Sequence, residues 1–126
     1  MTYVDGFVLP VPEDKREAYQ KMASDAGKIW MEHGALSYKE CWLEDGAPEM
    51  PEGMSITRFA DLAGTKKGEG VVFAFIIYNS REHRDEVNAK VMSDPRMQNN
   101  DCGDPFKMPF DVARMCYGGF EAMVDY

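Results

Sequence analysis

The chain opens on "TYVDGFVL" (Thr2–Leu9), a run of β-branched and aromatic residues that Pro10 and Pro12 bring to an end. It predicts a first strand. From Glu13 the period changes. Apolar residues recur at Tyr19, Met22, Ala23, Ala26, Ile29 and Trp30, the spacing of one helical stripe. Proline and acids in the opening turn suit a helix start, and Gly34 is placed to end the helix in a left-handed cap. The expected helix covers Glu13–His33. "ALSYKECWL" (Ala35–Leu43) alternates and predicts a second strand. "EDGAPEMPEGM" is loop, after which "SITRFADL" is expected to resume the strand. "GTKKGEG" (Gly64–Gly70) turns the chain into "VVFAFIIY" (Val71–Tyr78), a continuous apolar run expected as a central strand buried on both faces. Asn79 or Ser80 caps a second helix over about Arg81–Ser93, which Asp94-Pro95 stops. A long connection, "RMQNNDCGDPFKMPFD", leads to "ARMCYGGFEAMVDY", the fourth strand.

The order β-α-β-β-α-β predicts an α+β, ferredoxin-like domain: one antiparallel sheet with two helices on one face. The usual strand order, 4-1-3-2, is taken for it. A length of 126 residues fits one such domain, 1–126. Strand alternation sorts side chains into two faces. Val4, Gly6, Val8, Cys41, Leu43, Phe73, Phe75, Ile77, Cys116, Phe120 and Val124 are assigned to the helix side. The other face then carries Tyr3, Asp5, Phe7, Tyr38, Glu40, Trp42, Ala74, Ile76, Tyr78, Met115, Tyr117, Glu121 and Met123. So apolar a surface needs cover. A second copy packed across a two-fold axis supplies it, making a homodimer; the alternative cover is the chain's own long loops.

Charge narrows the partners. With 22 acidic against 14 basic residues the net charge is -8, which repels phosphate backbones, so nucleic acid is not an expected partner. No apolar run reaches membrane-spanning length, and the first residues do not read as a signal peptide. Three widely spaced cysteines, Cys41, Cys102 and Cys116, suit reduced thiols in a cytoplasm. No metal-ligand spacing and no cofactor motif appears, and neither histidine sits in a haem-ligating context.

Four blocks, "YVDGF", "WMEHGALSYKEC", "SREHRDEVNAKVMSDPRM" and "MPFDVARMCYGGFE", resemble the YbaA-type family of bacterial proteins, a domain of unknown function. The likeness spans nearly the whole chain, with departures mainly in the Glu44–Met54 and Asn99–Lys107 loops. It implies a dimeric α+β barrel, a superfamily that includes small monooxygenases, lactone isomerases and haem enzymes. It brings no catalytic residues to carry over.

Candidate chemistry therefore rests on the residues. Asp5, Glu40 and Glu121 fall on the aromatic face. If strands one and four are neighbours, Asp5 and Glu121 approach each other beside Tyr117. Paired carboxylates in a partly dry site have a raised pKa, as a general acid or base needs; a third would allow a divalent cation. The alternatives are a wet sheet rim, or bonds to Tyr and Arg side chains across a dimer. His33 lies on the buried stripe of helix one, placed either as a base lining a pocket or against the last helix carbonyls. Tyr38, Glu40, Trp42 and His83 are candidate ligand-binding residues.

"HRDEVN" (His83–Asn88) spells a kinase catalytic loop, but the Asn comes too early and the other kinase elements are absent. On a helix it turns Arg84 and Asn88 inward and Asp85 outward, with His83 at the exposed edge. Arg84 would then reach an anionic ligand or a buried acid, with Asn88 orienting it, or tie the helix to the loop after Pro95. Cys41 and Cys116 are expected as core thiols. Cys102, between acids, is a poor nucleophile. The paired glycines Gly118 and Gly119 mark a bulge or a close helix approach. Met97 and Met108 suit an adaptable pocket. Together these predict a small-molecule-binding protein or a cofactor-independent enzyme, isomerase- or monooxygenase-like. Its pocket lies between sheet and helices. The alternative is a non-catalytic homodimeric module.

Overall fold

A computed structural model describes residues 1–98 and 108–126. In chain order the elements are strand β1 (Tyr3–Pro12), a 3-10 turn (Glu13–Lys15), helix α1 (Arg16–Glu32), strand β2 (Ser37–Trp42) and a helical turn α2 (Phe59–Leu62). Then come strand β3 (Glu69–Tyr78), helix α3 (Arg81–Met92), the short α4 (Pro95–Gln98), a 3-10 turn (Val112–Arg114) and strand β4 (Cys116–Glu121). The strands form one antiparallel sheet in the order β2-β3-β1-β4, consistent with the ferredoxin-like plan.

Local chemistry sets the element ends. The Gly34 N–H donates to the Met31 carbonyl and the Ala35 N–H to that of Trp30, the two bonds of a Schellman cap. Gly34 has φ +113°, which an L side chain rarely adopts. The Ser80 hydroxyl accepts the His83 N–H and so caps α3. "SITRFADL" departs from the strand reading. Carbonyls of Arg58 and Phe59 accept the amides of Leu62 and Ala63, and the Thr65 hydroxyl closes the turn on Ala60. Phe59 packs edge-on against Phe73, with centroids 6.3 Å apart. Farther along, Arg114 donates both to Glu69 and to the Gly64 carbonyl, tying the start of β4 to the start of β3. These bonds, with one from the Lys66 N–H, hold the Glu69 carboxyl down at about 2.

The core reverses the face assignment. Ile29 of α1 and Val87 and Val91 of α3 pack on Ile76 and Tyr78, with Tyr3, Phe7 and Tyr38 alongside. Tyr19 and Ala23 pack on Leu9, Val11, Val72 and Ala74. The Tyr3-Asp5-Phe7 parity therefore faces the helices. Val4, Val8, Phe73, Phe75, Ile77 and Phe120 point the other way. So do Cys41 and Cys116, which are exposed thiols rather than core ones. The face of β3 away from the helices is only partly covered: Val71 is buried, but Phe73 is 44% exposed. The physical reason lies in the strands, which are apolar on both sides; the helices chose the side where small Ala74 lets Tyr19 and Ala23 approach. The paired glycines cause no bulge. Gly118 pairs with Gly6 and Gly119 with Asp5 in unbroken register, and a Cβ on Gly119 would strike the Tyr3 ring. Cys102 lies outside the described residues.

Candidate functional site

Three polar clusters sit on or beside the helix-facing side of the sheet. The first closes one end. Asp5 is 1% exposed, and Arg84, reaching from the first turn of α3, donates from Nη1 to Asp5 Oδ1 at 2.6 Å and to the Tyr117 hydroxyl at 3.0 Å. Arg84 Nε donates to Asp85 Oδ1 at 2.7 Å, and the guanidinium lies 5.0 Å from the Tyr3 ring centroid. Burial raises the Asp5 carboxyl above its ordinary value, and the attraction and hydrogen bond of Arg84 oppose that rise. The guanidinium is thus satisfied by the protein's own acids. Asn88 does not orient it: the Asn88 Oδ1 accepts from Trp30 Nε1 at 3.2 Å and from the Tyr78 hydroxyl at 3.4 Å.

The second cluster gathers at the end of α1. His33 Nε2 lies 2.8 Å from Asp94 Oδ2, and Arg96 bonds both Asp94 and Glu32. The bonds from Arg96 and His33 hold the Asp94 carboxyl far below its usual range. Here a residue read only as a helix stop links α1 to α4, and His33 meets a carboxylate rather than helix carbonyls.

The third is built around Glu40. Its Oε1 accepts from the Tyr19 hydroxyl at 2.7 Å and its Oε2 from the Tyr38 hydroxyl at 2.8 Å. Glu40 keeps contact with solvent, yet desolvation of its carboxyl raises it above its usual range despite both tyrosines. Burial and the adjacent Glu40 push the Tyr19 hydroxyl up strongly. Two cavities meet here. One, about 700 Å³, runs between α1 and the edge strand β2; the other, about 230 Å³, lies between sheet and helices and is lined in part by Met97, Met108 and Phe110. Tyr19, Ala23, Tyr38 and Glu40 line both.

Gly27 makes this arrangement possible. A Cβ there would stand 2.7 Å from the Tyr38 ring, so only glycine lets the ring lie against α1. Gly27→Val is expected to destabilise the fold by about 2 kcal/mol through overpacking. Urea unfolding checks it; an unchanged midpoint would mean that Tyr38 moves aside freely.

The sequence-level candidates thus divide. Asp5, Tyr117 and Arg84 converge, but as a closed network. Glu121 is exposed and pairs in register with Tyr3, not with Asp5, so the expected carboxylate pair does not form. Among the described residues no group of three or more His, Cys, Asp or Glu side chains is placed to hold a metal ion. His83 is half-buried rather than exposed; its Nδ1 accepts the Asn79 N–H at 2.9 Å, which puts a neutral ring's proton on Nε2. Tyr38, Glu40 and Trp42 share one face and line the larger cavity. Sequence reasoning missed Tyr19 as a hydroxyl donor, because it sat in an apolar stripe. It also missed Arg16, stacked 4.7 Å from the Trp42 ring centroid. Among the described residues, no helix is long and apolar enough to cross a membrane.

A four-stranded antiparallel sheet, helices packed on one face and a cavity at their junction define an α+β domain. The family model described as "Protein of unknown function (DUF1428)" matches residues 2–112, and the chain belongs to that family. It is 47% identical over 125 residues to "Uncharacterized protein YbaA" of Escherichia coli (strain K12), covering 99% of both chains. The same identity and coverage hold for the proteins of that name in Escherichia coli O157:H7 and Shigella flexneri.

Proposed function

We propose that this protein binds a small organic molecule in the cavity beside Glu40 and moves a proton on it without a cofactor. The observation that carries the reading is Glu40, held between two tyrosine hydroxyls where two cavities meet. A carboxyl raised above its usual range by desolvation, anchored in one orientation and reachable from solvent, has the properties of a general base. It would take a proton from a ligand O–H or activated C–H. Tyr19 and Tyr38 fix its rotamer, and the apolar walls limit water. Asp5 is not the base, because Arg84 caps it and bulk access is lost.

The test is a fragment library followed by amide NMR. Expected hits shift the resonances of Tyr38–Trp42, and solvent deuterium enters an activated C–H position of some of them. Glu40→Gln is expected to slow that exchange about 10²- to 10⁴-fold. Failure of every fragment to shift those resonances sinks the binding reading; unchanged exchange in Glu40→Gln sinks the catalytic one.

A second observation supports assembly. The sheet face away from the helices leaves Phe73 44% and Phe120 61% exposed. A homodimer packed through this face, the dimeric barrel, would cover it. It is the opposite face from the one the alternation suggested. As a non-catalytic module the protein would need only this surface.

A further inference from the structure

Arg16 opens α1 and lines the larger cavity together with Trp42. The indole lies so close over Gly70 that a Cβ on that glycine would overlap it. The ring is therefore fixed from below by backbone, and the Arg16 guanidinium stacks on it at 4.7 Å. A guanidinium held over an aromatic face still has in-plane N–H donors to offer, and their fork matches a carboxylate. Among the described residues Arg16 forms no salt bridge. Arg84, Arg96 and Arg114, by contrast, are all taken by the protein's own acids. Along α1 the cavity rim is polar, with Arg16, Gln20, Ser24 and Lys28 at successive turns; its floor, with Ala23, Gly27 and Val72, is apolar or small.

From this arrangement we infer that the cavity takes a small carboxylic acid with an apolar body, its carboxylate held by Arg16. The inference rests on the cavity reading above and names the ligand class for it. Trp42 and Glu40 are two residues apart on one strand face, about 7 Å. A carboxylate seated at Arg16 thus directs the ligand's next few atoms along β2 toward Glu40, the group that would move a proton. Ala23, Gly27 and Val72 receive the apolar body. The net charge of -8 opposes anions at long range, but salt screens such fields beyond about 8 Å under physiological conditions, so the local guanidinium decides.

Cinnamate and cinnamamide, alike in shape and different in charge, provide the test by NMR titration at neutral pH. Cinnamate is expected to bind about tenfold more tightly than the amide, the usual gain from a charged hydrogen-bonded contact. Arg16→Gln is expected to erase that preference, bringing cinnamate affinity down to that of the amide. Equal binding of the two in the wild type, with shifts at Tyr38–Trp42, overturns the carboxylate inference and leaves the cavity reading standing. A preference that survives in Arg16→Gln overturns the assignment to Arg16. If neither compound shifts those resonances while other fragments do, the ligand class is wrong. If no fragment does, both readings fall.

Discussion

Arg84→Met is expected to destabilise the protein by about 3–5 kcal/mol at pH 7, the cost of leaving a buried charge without its partner. Asp5 is 1% exposed and has Arg84 2.6 Å away. Methionine fills similar space but returns nothing to the carboxylate. The pH dependence identifies the cause. The folded-state Asp5 carboxyl already lies above its ordinary 3.8 because burial outweighs the help from Arg84. A carboxyl raised on folding favours the folded state most in acid, and that contribution is lost as pH rises through the folded pKa. Removing the guanidinium raises the folded value further. The deficit of the variant should therefore be largest near neutrality and shrink on acidification, when Asp5 is neutral. Asp5→Asn added to Arg84→Met should recover a substantial part of the loss, since the orphan charge is gone. Denaturant titrations across pH measure all three. A deficit independent of pH would assign the effect to packing and remove the ion pair from the account.

The same residue shows where sequence reasoning reaches and where it stops. The helical wheel turned Arg84 inward because Val87 and Val91 fix the buried arc of α3, and periodicity is a local property. Local signals also gave the element order, the left-handed Gly34 cap and a helix start at Asn79 or Ser80. What Arg84 would touch was not local. It depended on which parity of β1 faces the helices, and neither parity announces itself: Val4 and Val8 are as apolar as Phe7 and Leu9. β3 offers even less, since "VVFAFIIY" does not alternate. Two clues were present, small Ala74 where a helix comes close and Leu9 with Val11 extending the odd-numbered positions of β1. The Glu40 site was half legible. Tyr38, Glu40 and Trp42 stood on one face by alternation, but Tyr19 belonged to a helix stripe, where an aromatic reads as packing and its hydroxyl is overlooked. Asp94 was hidden likewise, because Asp-Pro reads as a stop signal whatever its carboxylate later binds.

Substituting lysine for both Phe73 and Phe120 is expected to convert a dimer into monomers. The wild type should sediment at about twice the 14.3 kDa chain mass. Phe73 sits on the central strand β3, and Phe120 lies on the edge strand β4 with its ring over Gly6. On a two-fold interface each substitution occurs twice, so four aromatic anchors become four buried ammonium groups per dimer. Losing one such anchor typically costs about 2 kcal/mol, and desolvating unpaired charge adds to it. The dissociation constant should rise by at least about a thousandfold. The helix-facing core is untouched, because both side chains point away from α1 and α3, so the far-ultraviolet circular dichroism of the variant should match the wild type. Cys41 and Cys116 lie on this face and are exposed in the single chain. A dimer buried through it should slow their alkylation, and the lysine variant should restore the fast rate. Sedimentation of the wild type at one chain mass, with fast alkylation already present, would end the barrel reading and leave the face as solvent-exposed apolar surface.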